Sequence, residues 1–136
     1  MADTDDLQEL FEAAHAARDN AHAPYSGFAV GAAIRSESGR IYAGCNVENA
    51  SYPEGWCAET SAIAQMVSAG EKRIMAVLVM GGGARLCTPC GGCRQRLAEF
   101  AAPDTPIHIA SPDGIRQHTT LQDLLPGAFT LLEEPS

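Results

Sequence analysis

The chain has 136 residues, 46% of them apolar, and a net charge of −8 from nine Lys+Arg against 17 Asp+Glu. That length and composition predict one domain, 1–136, with a real core, and exclude a disordered chain. No apolar run nears the ~18–20 residues of a membrane span, and the acidic balance repels polyphosphate backbones. No Lys/Arg cluster offsets that charge, so neither a membrane nor a nucleic acid is expected as a partner.

The opening, Met1-Ala2-Asp3-Thr4-Asp5-Asp6, is acidic, unlike the basic start of a signal peptide, and the protein reads as cytoplasmic. From Asp3 to about Ala23, residues Leu7, Leu10, Phe11, Ala14 and Ala17 recur at helical spacing. Asp3 or Thr4 would cap this helix and Pro24 would end it. Ala29–Arg35 and Arg40–Cys45 read as a strand pair around the turn Ser36-Glu37-Ser38-Gly39. Asn46–Trp56 is polar, with Pro53 and Gly55, and reads as loop. Cys57–Ala69 has Ala62, Ile63, Met66 and Val67 on one face and Gly70 as its stop, which predicts a helix. Ile74–Met80 is almost unbroken apolar sequence, as in a central strand covered on both faces. After Gly81-Gly82-Gly83, a helix begins near Pro89 and runs to about Phe100. Ile107–Ala110 reads as a short strand, Ser111–Gly114 as a turn and Leu121–Leu125 as one or two helical turns. The order predicts a mixed sheet with helices on both faces.

Five cysteines, Cys45, Cys57, Cys87, Cys90 and Cys93, form an odd set with no export signal, which favours metal binding over disulfides. Cys57-Ala58-Glu59 and Pro89-Cys90-Gly91-Gly92-Cys93 carry most of the chemistry. Both place thiols at helix N-termini, whose partial positive charge stabilises thiolates. Three thiolates, Cys57, Cys90 and Cys93, hold a zinc ion with its fourth position open. Glu59 lies too close in sequence to Cys57 to be an easy fourth ligand and is placed to handle protons. Three other readings compete. Cys90 and Cys93 alone describe a redox pair. Cys87 supplies another Cys-x-x-Cys with Cys90, and a closed structural zinc held by four cysteines would include it. Cys45 and Cys57 also suit a core as small apolar residues. His15, His22, His108 and His118 lack ligand spacing and read as surface residues.

Five segments in order, 24–33, 44–52, 57–59, 89–95 and 124–129, resemble the small homotetrameric cytidine deaminases over about residues 7 to 129. They read Pro-Tyr-Ser-Gly-Phe-Ala-Val-Gly-Ala-Ala, Gly-Cys-Asn-Val-Glu-Asn-Ala-Ser-Tyr, Cys-Ala-Glu, Pro-Cys-Gly-Gly-Cys-Arg-Gln and Leu-Leu-Pro-Gly-Ala-Phe. The resemblance implies an α/β/α sandwich, three layers around a mixed five-stranded sheet. It implies one zinc per subunit on Cys57, Cys90 and Cys93, and Glu59 as the proton shuttle. Asn46 and Glu48 would hold ribose hydroxyls, Phe28 would pack on the base, and Ala58 would touch the substrate. Tyr52 and Phe129 would complete a neighbouring subunit's site or lie at the interface of a homotetramer. The implied reaction is hydrolytic deamination of cytidine or deoxycytidine in pyrimidine salvage. Chemistry supports the ribose assignment, because an Asn and a Glu two apart at a strand end point the same way and suit a diol. Without the resemblance, Glu48 reads as a solvated loop acid and Phe28 as core.

Two positions depart from the family. Many relatives carry Arg directly after Cys-Ala-Glu, where this chain has Thr60. Three thiolates and Zn²⁺ sum to −1, and such an Arg offsets that charge; Arg94 and the helix ends are the substitutes the sequence offers. Trp56, the only tryptophan, stands beside the first thiol and either reshapes the base pocket or serves packing or an interface. Alternatives are a modified cytosine nucleoside of the blasticidin S kind as substrate, or a non-catalytic module built on a four-cysteine zinc. An editing deaminase acting on polynucleotide is disfavoured by the charge.

Overall fold

A computed structural model describes residues 4–83 and 86–131. Five strands, β1 (Gly31–Ser36), β2 (Ile41–Cys45), β3 (Ile74–Met80), β4 (Pro106–Ser111) and β5 (Gly114–Thr120), form one sheet in the order β2-β1-β3-β4-β5. The β3–β4 pair is parallel and the other pairs are antiparallel. Helix α1 (Thr4–Arg18) covers one face; α2 (Ala58–Ser68) and α3 (Gly91–Phe100) cover the other. The sequence-based expectation of a three-layer α/β/α sandwich holds. A short α4 (Leu121–Leu124) follows β5 and is capped by the Thr120 hydroxyl, which accepts from the Asp123 N–H. Among the described residues, no helix is long and apolar enough to cross a membrane.

Alternation along the strands divides the core. Ile34, Val77, Val79, Ile107 and Ile109 meet Ala62, Ile63, Met66 and Leu97 of α2 and α3. Ala33, Ala76, Leu78, Met80 and Ala110 meet Leu10 and Ala14 of α1. β3 is buried along almost its whole length, as its unbroken apolar run predicts. Two glycines set how closely the helices approach the hairpin. A Cβ on Gly31 would lie 2.1 Å from the Ala14 carbonyl of α1, and one on Gly44 would lie 2.5 Å from Ser61 Cβ of α2. Ser61 Oγ and Gln65 Nε2 also donate to the Cys45 and Ala43 carbonyls, which stitches α2 to the edge strand β2. These contacts fix where the N-terminus of α2 comes to rest.

Two expectations about the elements need correction. α1 ends at Arg18 rather than near Ala23, because the chain turns there and His22 bridges to Val47, with His22 N–H donating to Asn46 O and Glu48 N–H to His22 O. The cap expected at Asp3 lies outside the described residues, and Thr4 is the first helical residue. β5 escapes the periodicity reading because Arg116, Gln117 and His118 at its centre are exposed on an edge strand, with little apolar alternation.

His108 is not a surface residue. It is 5% exposed. Its Nδ1 lies 2.7 Å from Nδ1 of His118, its cross-strand partner, and its Nε2 is buried without a partner. Burial, and then the neighbouring His118, push the His108 imidazole down to about 4. An unfolded histidine titrates near ~6.5, so between those values the unfolded chain binds a proton that the folded chain refuses. Stability therefore falls as pH drops from about 6.5 to 4, by on the order of 2–3 kcal/mol from this residue. Urea unfolding at pH 7 and pH 4.5 should show a smaller loss for His108→Leu than for the parent chain. Equal losses would remove His108 as the cause.

Candidate active site

Two helix starts meet on the α2–α3 face of the sheet. Cys57 is the N-cap of α2 and Cys90 the N-cap of α3, both with extended backbone (ψ 159 and 167) and neither using its side chain as a cap. Both sulfurs are thus left free for another partner. Cys93 sits on the first turn of α3 and is fully buried. Its spacing of three from Cys90 keeps both thiols on one side. The three Sγ atoms lie within 4.8 Å of one another, and Cys57 Sγ is 3.9 Å from Cys90 Sγ. Tetrahedral zinc with Zn–S of ~2.3 Å sets sulfurs roughly 3.8 Å apart, so this donor set fits zinc. A hydrogen bond from Cys93 holds the Cys57 thiol below its ordinary range; the same bond, with burial, pushes Cys93 up. A cation among the sulfurs favours all three as thiolates.

Cys87 and Cys45 stand outside this cluster. Cys87 lines the adjoining cavity instead, and burial raises its thiol to about 11. The closed four-cysteine arrangement is therefore not formed.

Glu59, the second residue of α2, is 4% exposed. Burial raises its carboxyl pKa; its own backbone N–H and the charge of Arg96 pull the other way. It opens onto a cavity of about 420 Å³ that also takes in Phe28, Asn46, Glu48, Tyr52, Trp56, Cys57, Ala58 and Cys90. That volume suits a small ligand. A second recess of about 360 Å³, lined by Tyr25, Ser26 and Asn49, shares Glu48, Tyr52 and Gly55 with it.

The rim is built by loop-to-strand bonds. Val47 and Trp56 exchange backbone hydrogen bonds of 2.9 and 2.8 Å, which closes the 47–56 loop and delivers the chain to Cys57. Asn46 Nδ2 donates to Phe28 O at 2.9 Å, and its Oδ1 accepts from Val30 N–H at 2.9 Å. One Nδ2 hydrogen and one lone pair on Oδ1 remain for a ligand. The Glu48 carboxylate accepts from the Tyr25 and Ser26 backbone N–H groups and from the Ser26 hydroxyl. Those bonds lower its pKa, led by the Ser26 hydroxyl, and it stays charged.

Phe28 is 42% exposed at the cavity wall, which excludes the plain core reading. Phe129 is not brought to this cavity. It lies 69% exposed in a separate groove beside Ala98, Leu121 and Leu125, with its carbonyl accepting from Gln95 Nε2. Arg94 does not reach the sulfurs either. Its guanidinium donates to Pro89 O and Leu124 O, both at 2.7 Å, and to Thr88 Oγ1, and so ties the Cys90 loop to α4. Arg96 reaches the sulfurs instead. Helical spacing holds the signal: a residue three after Cys93 shares its face, and the next residue does not.

The sulfur geometry separates the cysteines functionally. Cys87→Ser should retain zinc in full by metal analysis. Cys90→Ala should lose it and melt at lower temperature. Zinc loss in Cys87→Ser would restore the four-cysteine reading.

Residues 4–109 match the family model for the cytidine and deoxycytidylate deaminase zinc-binding region. A cytidine deaminase of Sporosarcina psychrophila is 41% identical over 125 residues, covering 92% of each chain. The crystal structure of cytidine deaminase from Burkholderia pseudomallei superposes with a TM-score of 0.85 at 42% identity, covering 90% of this chain and 98% of that one. That from Mycobacterium tuberculosis gives 0.78 at 40% identity, with 93% and 98% covered. With three sulfurs gathered at two helix starts and a buried glutamate beside them, this chain belongs to the cytidine and deoxycytidylate deaminase family.

Proposed function

We propose that residues 1–136 act as a single catalytic domain that hydrolyses cytidine or deoxycytidine to the uracil nucleoside and ammonia. The observation that carries this reading is a buried Glu59 beside a three-sulfur cluster at the end of a nucleoside-sized cavity. Cys57, Cys90 and Cys93 would hold one zinc per subunit. Zinc so held supplies Lewis acidity that makes water a nucleophile near neutral pH.

Glu59 takes the proton from the attacking water and delivers it to ring N3. It then takes the remaining proton from the C4 hydroxyl and passes it to the amino group, which leaves as ammonia as the C4 carbonyl forms. A carboxylate serving as base and then acid works best with its pKa moved toward the working pH, and burial moves Glu59 that way. Ala58, with its small side chain almost fully buried beside Glu59, leaves room for the ring. Phe28 offers an apolar face to the base. Asn46 and Glu48 bind the ribose hydroxyls with the acceptor and donor sites that their bonds to the 23–30 segment leave open.

Tyr25, Tyr52 and Trp56 are each more than half exposed around the cavity and its adjoining recess, and Phe129 is 69% exposed elsewhere. Such a set of exposed aromatics supports self-association, and in the homotetramer that the resemblance implies Tyr52 and Phe129 would meet a neighbouring copy's site. The five cysteines are all unbridged, as a reducing cytoplasm would keep them, and deamination of a free pyrimidine nucleoside would fit pyrimidine salvage. Trp56 lines the cavity, but the similar proteins are cytidine deaminases, which favours the unmodified nucleoside over a modified one.

Glu59→Gln tests the assignment. It should keep its zinc and lose roughly 10²–10⁴-fold in kcat, read as ammonia release from cytidine. Near-normal turnover by the variant would remove Glu59 from the chemistry.

A further inference from the structure

Thr60 follows Glu59 directly, and three thiolates around one dication would carry a net negative charge that calls for a counter-charge. The surroundings of Cys93 supply one. Thr60 Oγ1 lies 3.7 Å from Cys93 Sγ. Arg96 Nη1 donates to Thr60 Oγ1 at 3.1 Å and lies 3.9 Å from the same sulfur. Among the described residues, these two are the non-cysteine side chains that reach a sulfur of the triad. No carboxylate among the described residues lies within ion-pair distance of Arg96. Its polar contacts therefore point inward although the side chain is exposed.

The donor order is consistent. Thr60 Oγ accepts from the guanidinium, which leaves its own hydrogen to donate to sulfur. The hydroxyl thus relays the pull of the arginine onto Cys93, and Arg96 adds a weaker contact of its own. Helix N-termini contribute only partial charges, about half a unit each. Arg96 contributes a full one.

We propose that Arg96, held by Thr60, is the counter-charge of the thiolate cluster, delivered from α3. Both are positioning residues: they act through Cys93 and do not touch substrate. The inference rests on the zinc reading of the triad. Hydrogen bonds to Cys93 would hold that sulfur in one orientation and offset part of its charge, so that three thiolates are tolerated around one dication in a half-buried site.

The test measures zinc affinity by chelator competition at fixed pH, with kcat and KM on cytidine, for the parent chain, Arg96→Gln, Arg96→Lys and the double variant Thr60→Arg/Arg96→Gln. Arg96→Gln should bind zinc roughly 10-fold more weakly and lose about 10-fold in kcat, with KM changed little, as for other groups that support a metal ligand. Arg96→Lys should lie nearer the parent, and the double variant should recover most of both losses. Unchanged zinc affinity and kcat in Arg96→Gln would overturn the proposal. So would equal losses in the lysine and glutamine variants, or a double variant no better than Arg96→Gln. A parent chain that binds zinc but releases no ammonia would sink the cytidine reading alone, and the affinity series would still decide the role of Arg96.

Discussion

Three sulfurs held within 4.8 Å of one another at the starts of two helices are the constraint on which the site depends. Thiols packed this closely repel as thiolates and waste their hydrogen-bonding capacity as thiols. Helix N-termini relieve part of that conflict with unpaired N–H groups and partial positive charge. A dication relieves most of the rest. The extended N-cap backbones of Cys57 and Cys90 matter here, because they leave both sulfurs free to point at a common centre.

The fold serves to bring those helix starts together. α2 is placed by β2: Gly44 admits it closely, and Ser61 and Gln65 bond to the carbonyls of the edge strand. α3 is placed by the parallel β3–β4 crossover and by Arg94, whose guanidinium fastens the Thr88-Pro89-Cys90 loop to α4. The two helices reach the same face of the sheet because Val77, Val79, Ile107 and Ile109 present apolar side chains there. Glu59 follows from the same placement. Two residues beyond Cys57 and inside α2, it is buried against the core, and burial disfavours its charged form.

Much of this was legible from sequence because the signals were local. Helical spacing marked α2 and α3, an unbroken apolar run marked β3, and the cysteine spacing named the triad. What was not legible depends on tertiary neighbours. β5 is an exposed edge strand, so its Arg-Gln-His centre carries no apolar alternation. His108 is buried within β4, between β3 and β5, and β5 places His118 across from it. Arg94 and Arg96 are nearly indistinguishable as letters. Their roles part because successive residues on a helix point about 100° apart, which turns one to the loop and the other to the sulfurs. Phe129 lies beyond the last described helix, in a groove away from the cavity, so a single chain does not bring it to the ring.

The most direct test of the account is the metal dependence of turnover. Ammonia release from cytidine would be followed in the purified chain, then after zinc is stripped with a chelator, then after stoichiometric zinc is returned. The account predicts conversion to uridine that disappears with the metal and returns with one zinc per chain. Turnover that survives complete zinc removal would contradict it.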